Sequence, residues 1–479
     1  MKSEDPLLVA WDKTLSRKGD QPAIFNPTGQ IARTFRQIEE RARQFDAKIE
    51  RFRAGEVIAI QIGNHEDWPS IFFACLRKQL VVVPVEHSTS DEQRDATLQI
   101  CRASAVVSAV PSGTSLKILR LRTADTTAEW HKNPPNLLKL TSGTTATPRL
   151  VRFRSEQLLA DCNQICETME ISDVDLNFGV IPISHSYGFS NLLLPLIARG
   201  VPMVVSCDRT PRAILADLAR TNATVFPGMP LFYQAFCEIN DIPALPNLRL
   251  CISAGAPLSA AVAKKFFEKF NKPIHSFYGA SECGGICYDR EGRSDIEGFV
   301  GQPMRGVEVE LVDATATLSR IRVRSAAVGH GYFPKPDARK LGTGTFIPDD
   351  LLAREASGFK IVGRISDLIN VAGKKLNPAE VEAHLLRFAG VRQAVVFGRS
   401  AGAGLRNEEV AACVVAAPHI SESDLLRFCR GGLSAWQVPK RIFIMDAIPT
   451  NERGKISRRD LERRFSTPGA SSPLPRLGS

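Results

Sequence analysis

The sequence lacks the short cysteine and histidine motifs that mark disulfide frameworks and zinc sites. Its 11 cysteines are an odd number and include no C-x-x-C pair, and its 8 histidines include no H-x-x-x-H pair. Without these spacings, neither a disulfide scaffold nor a zinc site is indicated. We therefore expect the cysteines to be buried free thiols.

Two common nucleotide-binding signatures are also absent. The P-loop pattern G-x-x-x-x-G-K-[ST] and the dinucleotide fingerprint G-x-G-x-x-G occur nowhere in the chain. The phosphate loops of P-loop NTPases and of Rossmann-type enzymes are therefore excluded. A phosphate site in this protein must be built from another type of loop.

Long hydrophobic runs are missing as well. No stretch of about 18 apolar residues occurs, so no membrane-spanning helix is predicted. The first residues, MKSEDPLLVAWDK, carry charges where a signal peptide would need its apolar stretch. We expect a cytoplasmic protein.

Positive charge, in contrast, is in excess and is unevenly distributed. The net charge is +10, and the chain from Arg364 onward contains 18 Lys and Arg against 11 Asp and Glu, a surplus of 7. This surplus indicates a small basic domain. Nucleic acid fits such a domain by charge, but no basic run is interleaved with the aromatic residues that single-strand binders use. Nucleotides and other small polyanions fit equally well.

The apolar pattern predicts an α/β fold with more than one domain. The 479 residues exceed what one hydrophobic core usually serves. Helix-like spacing over 35–52 is followed by a strand-like run at 57–63, and this alternation continues to about residue 300, which is typical of largely parallel sheets. Short strands and a βαβ-like region at 380–443 follow, so we place a domain boundary near 363–367. The polar, proline-rich tail beyond Phe465 is predicted to be disordered.

One short stretch, LLKLTSGTTATPRLVRF at 137–153, concentrates five hydroxyl groups, a glycine and a cation between apolar flanks. Glycine lets the backbone approach an anion, successive N–H groups form a concave donor surface, and hydroxyl groups add further donors. These residue types predict a phosphate site with Arg149 as its cation. A Ser/Thr-rich surface loop between a strand and a helix explains this segment alone equally well.

Four further segments follow in a fixed order: PISHSYGFS from 182, SFYGASECGG from 276, FIPDDLL from 346 and PTNERGKISRR from 449. Together with TSGTTATPR they resemble the adenylate-forming superfamily, which includes acyl-CoA synthetases, peptide-synthetase adenylation domains and luciferases. The resemblance implies a large N-terminal adenylation (AMP-binding) domain of β-sheets flanked by helices at 1–364. A small, mobile α+β C-terminal lid domain at 365–466 and a disordered tail at 467–479 would follow.

The resemblance also implies roles for two nucleotide-binding motifs. In the family the TSGTT loop closes over the β- and γ-phosphates, and the Y-G-x-T-E motif contacts adenine, the α-phosphate and Mg²⁺. Arg149 stands where the family has lysine, while Ala146 and Leu150 replace residues that are usually glycine. The residues carried over are Ser142, Gly143, Thr144, Thr145 and Arg149 for phosphate, with Thr144 also near Mg²⁺, and Tyr278, Gly279, Ser281 and the metal ligand Glu282. A solvated loop carboxylate is the alternative for Glu282.

The ribose site departs most from the family pattern. The family's F-x-T-G-D-L corresponds here to FIPDDL, and Asp350 is our choice for the ribose hydroxyls, because ionised acceptors form the stronger hydrogen bonds. Asp349 is the alternative, because Pro348 restricts the local backbone. Arg364 is expected to be the second ribose contact, with a surface ion pair as its alternative.

The C-terminal region carries the remaining family positions. Ser366 takes the hinge position, Gly373 would line the tunnel for the CoA thiol, and Lys455 would act beside the carboxylate and α-phosphate during adenylation. The adjacent Lys374 and Lys375 would meet CoA phosphates or serve only solubility, and the two readings are equally supported.

Only one segment addresses the acid substrate. No acidic residue occurs between Asp175 and Asp208, whereas amino-acid-activating relatives carry an aspartate there for the substrate amine. His185, Tyr187, Gly188 and Phe189 resemble acyl- and aryl-CoA synthetases, in which this stretch and the one at 253–258 line an apolar pocket. His185 is a catalytic candidate, and a buried core histidine is its alternative.

The sequence thus predicts an ATP-dependent acyl or aryl acid ligase that forms an acyl adenylate and passes the acyl group to CoA. ATP, Mg²⁺ and coenzyme A are the expected cofactors, a small carboxylic acid is the expected substrate, and no nucleic acid partner is expected. Two alternatives remain: an enzyme that loads the phosphopantetheine of a carrier protein, and a degenerate member that binds nucleotide or acyl adenylate without turnover.

Overall fold

The computed structural model describes residues 5–110, 116–121, 130, 133–141, 149–207, 210–293, 296–313, 318–371, 374–400, 408–449 and 458–465. The helices are Pro6–Lys18 (α1), Phe35–Lys48 (α2), Trp68–Arg77 (α3), Asp91–Cys101 (α4), Ser155–Met169 (α5), Ser186–Gly188 (α6), Leu194–Arg199 (α7), Pro211–Thr221 (α8), Pro230–Glu238 (α9), Ala260–Phe270 (α10), Pro378–Leu385 (α11), Glu422–Gly432 (α12) and Arg458–Phe465 (α13). A π-helical turn at Phe189–Leu193 joins α6 to α7, and Ile365–Asp367 forms a 3₁₀ turn.

The strands of the first part of the chain are Pro22–Phe25 (β1), Ile31–Thr34 (β2), Val57–Gln61 (β3), Val81–Pro84 (β4), Ala103–Ala109 (β5), Leu116–Arg120 (β6), Leu137–Leu140 (β7), Leu150–Phe153 (β8), Asn177–Gly179 (β9), Met203–Val205 (β10), Val225–Gly228 (β11), Leu250–Ser253 (β12), Ile274–Ala280 (β13) and Gly284–Tyr288 (β14). Those that follow are Phe299–Pro303 (β15), Val307–Leu311 (β16), Ser319–Ser325 (β17), Gly331–Phe333 (β18), Leu341–Gly342 (β19), Thr345–Phe346 (β20), Asp350–Glu355 (β21), Gly358–Arg364 (β22), Ile369–Val371 (β23), Lys374–Leu376 (β24), Val391–Ser400 (β25), Glu408–Ala416 (β26) and Arg441–Ile444 (β27).

The chain divides into two compact units of unequal size. The larger contains Met1–Pro348 and Ala353–Lys360, and the smaller contains Asp349–Leu352 and Ile361–Ser479. The predicted α/β class, with a large N-terminal and a small C-terminal domain, is confirmed. The boundary proposed at Arg364 and the mobility of the smaller domain stay predictions.

One sheet of the larger unit pairs β8, the strand that follows the hydroxyl-rich stretch, with β18, which lies about 180 residues later in the chain. Its strand order is β18-β8-β7-β4-β3-β5-β6. The strands β4, β3 and β5 are parallel and fully apolar at their centre, as expected for strands covered on both faces. Antiparallel β8 and β18 extend this sheet at one end.

The second sheet of the larger unit contains a parallel run, β13-β12-β11-β9-β10-β1. Because the carboxyl ends of parallel strands meet at one edge, the segments that follow β9, β12 and β13 leave the sheet at the same side. These are the segments that contain His185, the 253–258 stretch and Glu282. The sheet topology therefore collects three of the sequence motifs at one edge.

Local signals in the sequence explain where the helices begin. Thr34 caps α2 through a capping box with Gln37, and Asp5 accepts hydrogen bonds from the backbone of Leu7 and Leu8 at the start of α1. The helix α3 is buried over nearly its whole surface, which agrees with its almost continuous apolar sequence. Propensity, capping and burial thus favour the same structure at these positions.

The smaller unit has its own core. Strands β25 and β26 form an antiparallel pair, and β26, α12 and β27 form a parallel βαβ unit, as the sequence pattern predicted for this region. Apolar residues from α11, α12 and these strands pack together, among them Leu385, Val396, Val414 and Leu425. Among the described basic residues of this unit, Lys374, Lys375, Arg427 and Arg430 are exposed and lie outside this core.

All eleven cysteines are free thiols, and ten of them are buried, with Cys207 exposed. The expectation of buried free thiols is therefore confirmed at ten positions. None of the helices in the described part of the chain has the length and apolar character that a bilayer crossing requires.

Candidate functional site

The hydroxyl-rich stretch connects two antiparallel strands. Leu140 on β7 lies opposite Leu150 on β8, and the backbone N–H of Thr141 donates to the carbonyl of Arg149 at 2.9 Å. The segment is therefore a hairpin connection, and the alternative of a loop between a strand and a helix is wrong. Four predicted phosphate-binding residues of this connection lie outside the described residues: Ser142, Gly143, Thr144 and Thr145.

Arg149 stands at the C-terminal base of this hairpin connection. Its guanidinium carbon lies 3.8 Å from the centre of the Tyr332 ring, and a terminal nitrogen lies 3.7 Å from an Asp337 carboxylate oxygen. The Arg149 side chain is 32% exposed. It is thus held in place by an aromatic face while part of it remains accessible to a ligand.

Glu282 contacts the same tyrosine. The Tyr332 hydroxyl donates to Oε1 of Glu282 at 3.0 Å, and the backbone N–H of Gly329 donates to the Glu282 carbonyl at 2.9 Å. Burial raises the pKa of Tyr332, and the negative charge of Glu282 raises it further. The phenol therefore keeps its proton and can act as the donor. We call Arg149, Tyr332 and Glu282 the tyrosine cluster.

Strand pairing explains why the tyrosine cluster exists. Tyr332 on β18 lies opposite Val151 on β8, two residues from Arg149. Glu282 lies in the turn between β13 and β14. Sequence reasoning missed Tyr332, whose only local signal was its place in the glycine-rich GHGYF segment.

The turn that carries Glu282 also meets the segment that contains His185. The Ser186 hydroxyl donates to the Ser281 hydroxyl at 3.0 Å, which joins these two predicted motifs directly. The Nδ1 atom of His185 accepts from the backbone N–H of Tyr187 at 3.2 Å and so caps the short helix α6. His185 is only partly buried, so it differs from a fully buried core histidine and has a local structural role.

Tyr278 and Gly279 lie at the end of β13. Tyr278 is 7% exposed, and Gly279 lies opposite Gly285 on β14. A Cβ atom at Gly279 would clash with the carbonyl of Gly284. The glycine therefore allows the two strands to approach closely where the tyrosine and the glutamate are presented.

Lys139 is a buried charged residue on β7, the first strand of the hairpin. Its ammonium donates to the Ser190 hydroxyl at 3.2 Å, and that hydroxyl donates to Oδ2 of Asp161 at 2.6 Å. Burial lowers the pKa of Lys139, and the charge of Asp161 opposes this effect. Exposure is 4% for Lys139 and Ser190 and 2% for Asp161. We call these three residues the buried triad.

The buried triad supports the turn after Glu282. Oδ1 of Asp161 accepts from the backbone N–H of Gly285 at 3.1 Å. Gly284 has φ of +70°, and a Cβ atom there would overlap the Asp161 carboxylate. Sequence reasoning missed both charged members of the triad, although Lys139 is a single charge inside an apolar strand, which is itself unusual.

The predicted ribose residues lie in the smaller unit and contact each other. The Nε atom of Arg364 donates to Oδ1 of Asp350 at 2.5 Å, and Asp350 is 6% exposed. Asp349 is less buried, and its backbone carbonyl accepts from Ile365 N at 2.9 Å. Arg364 therefore forms the ion pair that was considered as the alternative to ribose contact. Its partner in that pair is Asp350, which is itself a predicted ribose residue.

The remaining C-terminal positions are only partly described. Lys374 and Lys375 are exposed on β24, and the Lys374 ammonium lies 5.2 Å from the Trp436 ring. The Ser366 hydroxyl donates to Asp367, which also pairs with Arg458. Gly373 and Lys455 lie outside the described residues. Across the described ranges, no group of three or more His, Cys, Asp or Glu side chains is arranged to hold a metal ion.

Comparisons with known proteins agree with the motifs. A family model described as AMP-binding enzyme matches residues 11–333, and one described as AMP-binding enzyme C-terminal domain matches residues 380–455. A probable CoA ligase of Humulus lupulus is 27% identical, with 89% of this chain and 90% of that protein covered. An oxalate–CoA ligase of Arabidopsis thaliana is 26% identical, with coverage of 86% and 89%.

A solved structure with ATP bound, MatB from Rhodopseudomonas palustris, superposes with a TM-score of 0.83 at 22% identity. The alignment covers 95% of this chain and 98% of that chain. At this identity the likeness establishes the shared fold. The resemblance to adenylate-forming enzymes that the sequence motifs indicated is confirmed by the family models and by this fold.

We expect Lys139→Met to destabilise the protein strongly, because it leaves the Asp161 carboxylate buried without its cation. The two charges are bridged by the Ser190 hydroxyl, and leaving one buried polar group of such a network without its partner costs about 1–3 kcal/mol. Thermal unfolding followed by circular dichroism should show a large fall in the midpoint temperature. Adding Asp161→Asn should restore part of it, and Lys265→Met, which removes an exposed pair with Glu238, should change little. A double variant less stable than Lys139→Met alone would contradict the triad's coupling.

Proposed function

The chain belongs to the AMP-binding enzyme family, and on this premise we propose that it is an ATP-dependent acid–thiol ligase. It would activate an acyl or aryl carboxylic acid as acyl-AMP, release pyrophosphate and transfer the acyl group to the thiol of CoA. The observation that carries the proposal is the tyrosine cluster, which places a carboxylate and a guanidinium on one phenol at the base of the predicted phosphate loop.

The phosphate site is proposed to consist of the hairpin connection and Arg149. Ser142, Gly143, Thr144 and Thr145 would supply hydroxyl and backbone donors to the β- and γ-phosphates, as their types and order favour. Arg149 retains an accessible side chain beside them. Its planar guanidinium suits a phosphate because it presents several donors in a fixed geometry.

The residues near this loop fit a magnesium ion. Glu282 supplies a hard carboxylate oxygen, and the Tyr332 hydroxyl holds its side chain in place through Oε1. Magnesium in nucleotide sites is usually held by one or two carboxylates together with phosphate oxygens and water, so a larger cluster of acidic residues is not required. Glu282, with Thr144, would hold the ion, which when bound offsets phosphate charge.

The adenine, ribose and α-phosphate of the nucleotide would be recognised by residues of two motifs, the one that contains Tyr278 and the one that contains Asp350. Tyr278 and Gly279 are proposed for adenine and Ser281 for the α-phosphate. Asp350 and Arg364 are proposed for the ribose. A buried carboxylate oriented by an arginine is a suitable acceptor for ribose hydroxyl groups, because the hydrogen bond from Arg364 fixes its direction.

The chemistry would proceed in two half-reactions. A carboxylate oxygen of the acid attacks the α-phosphorus, the bond from that phosphorus to the bridging oxygen of pyrophosphate breaks, and acyl-AMP forms. The CoA sulfur then attacks the acyl carbon, AMP leaves, and the thiol proton passes to solvent or a base. We propose Lys455 as the cation of the first half-reaction. Gly373 would give the thiol passage in the second, and Lys374 and Lys375 would meet CoA phosphates.

The substrate is proposed to be a carboxylic acid without an amine. The segment at 176–207 contains no acidic residue, so a substrate ammonium would have no partner there. His185 caps the short helix α6 within this segment, and the buried rings of Tyr187 and Phe189 follow it. His185 is a candidate for contact with the carboxylate that reacts, and the apolar rings favour an aliphatic or aromatic acyl group.

Two alternatives to this function remain. One is an enzyme with a different thiol acceptor, and the other is a protein that binds nucleotide without turnover. A carrier protein's phosphopantetheine presents the same thiol as CoA, so the residues above do not distinguish them. A binding protein without turnover is suggested by three departures from the family pattern, at Ala146, Arg149 and Pro348. In that case ATP would bind without pyrophosphate release.

A panel of acids from acetate through long-chain fatty acids to benzoates tests the proposal. We expect ATP-dependent pyrophosphate release with at least one acid, followed by consumption of CoA thiol at a matching rate. Pyrophosphate release without CoA consumption would favour the carrier-protein alternative. ATP binding with no pyrophosphate release for any acid would contradict the ligase.

We expect Asp350→Ala to raise the KM for ATP by about tenfold or more, because a charged acceptor for the ribose is lost. Asp349→Ala is the matched control, since it removes the neighbouring carboxylate and leaves the Asp350–Arg364 pair intact. Steady-state pyrophosphate release measures both. The reverse ranking of the two variants would assign the ribose to Asp349.

A further inference from the structure

Tyr332 lies between two residues of the proposed phosphate and metal site, and the sequence motifs did not include it. Its hydroxyl donates to one carboxylate oxygen of Glu282, and its ring lies under the guanidinium of Arg149. The residue is 3% exposed. Because it is buried, it is poorly placed to bind a ligand directly, but it touches both groups that would.

We propose that Tyr332 is a positioning residue that orients Glu282 for the metal ion and Arg149 for the phosphates through a single side chain. This inference rests on the proposed function. Its two contacts are chemically different, since one is a hydrogen bond from the phenol oxygen and the other is a contact with the face of the ring. The hydrogen bond can therefore be removed while the ring contact is kept.

The hydrogen bond determines how the Glu282 carboxylate is turned. A donor on Oε1 at 3.0 Å restricts the rotation of the carboxylate group and so sets the direction in which it would meet a cation. Residues that hydrogen-bond to a metal ligand typically change metal affinity by 10–100-fold when they are removed. The backbone bond from Gly329 to the Glu282 carbonyl fixes the main chain of the same residue. The phenol therefore acts on the orientation of the side chain and not on the position of the backbone.

The ring explains why an arginine can function at position 149. A guanidinium stacks on an aromatic face through its flat surface and keeps its N–H edge free, which a lysine ammonium cannot do. The distance of 3.8 Å from the guanidinium carbon to the ring centre is a close stacking contact. Asp337, at 3.7 Å, holds the guanidinium only loosely, so the ring is the main constraint on its orientation.

The strand pairing makes this arrangement stiff. The residues on either side of Tyr332, Gly331 and Phe333, lie opposite Arg152 and Leu150 on β8, and Tyr332 itself lies opposite Val151. The phenol is therefore fixed by the sheet rather than by a loop. A stiff element that holds two ligand-binding side chains is the arrangement expected of a preorganised site.

Titration of ATP into the full-length protein at a series of Mg²⁺ concentrations tests the proposal. Tyr332→Phe keeps the ring and removes the donor, so we expect the Mg²⁺ concentration at half-saturation of ATP binding to rise about tenfold. The ATP affinity at saturating Mg²⁺ should stay within about twofold of wild type, because the Arg149 contact remains. Tyr332→Leu removes both contacts and should also weaken ATP binding at saturating Mg²⁺ by about tenfold.

Tyr233→Phe is the matched control, because it removes another buried phenol that donates to protein oxygens, the carbonyls of Phe226 and Ile252. Its Mg²⁺ dependence should equal that of wild type. A Tyr332→Phe variant with unchanged Mg²⁺ dependence, or a Tyr233→Phe variant with an equal shift, would overturn the positioning role.

The titration, combined with the pyrophosphate-release assay on the acid panel, separates this inference from the proposed function. If the wild-type protein binds ATP with Mg²⁺ but releases no pyrophosphate, the proposed ligase activity is wrong. The Mg²⁺ dependence of the variants would still decide the role of Tyr332. A wild-type protein that binds no ATP would overturn both.

Discussion

The hydrogen bond from Tyr332 to Glu282 is the contact on which the candidate site depends. It joins the turn after β13 to β18, and β18 is paired with the strand that begins just after Arg149. Without this contact the glutamate and the arginine would belong to two segments that share no strand pairing among the described residues. The phenol, together with the backbone bond from Gly329 to the Glu282 carbonyl, therefore links the second sheet of the larger unit to the phosphate-loop hairpin.

Buried polar groups support the same arrangement from behind. The triad of Lys139, Ser190 and Asp161 connects β7, the π-helical turn and the turn after Glu282, and each of its hydrogen bonds lies inside the protein. Charges in such positions are costly unless they are paired, so the triad constrains the three segments to one relative position. The tyrosine cluster and the buried triad thus fix the two sides of the Glu282 turn.

Much of the fold could be predicted from local sequence, because its signals are local. Apolar periodicity located α2, which ends at Lys48, and the alternation of strand and helix indicated the parallel sheets. Motif order identified Thr141–Arg149 as a candidate phosphate segment and Glu282 as a candidate metal ligand, whereas the hairpin that joins β7 and β8 was not predicted. Asp350 was chosen over Asp349 from the motif, and it is the aspartate that pairs with Arg364. Its role in ribose binding stays a prediction.

The residues that sequence reasoning missed act through long-range contacts. Tyr332 and Glu282 are 50 positions apart, and Asp161 and Gly285 are 124 apart. Such pairs follow from strand register and helix packing, which no local pattern encodes. The most direct test of the account is a crystal structure with ATP and Mn²⁺, in which the anomalous signal locates the metal. We predict the ion on the Glu282 carboxylate, with the Tyr332 hydroxyl still bound to Oε1, and a metal held away from Glu282 would contradict the proposed site.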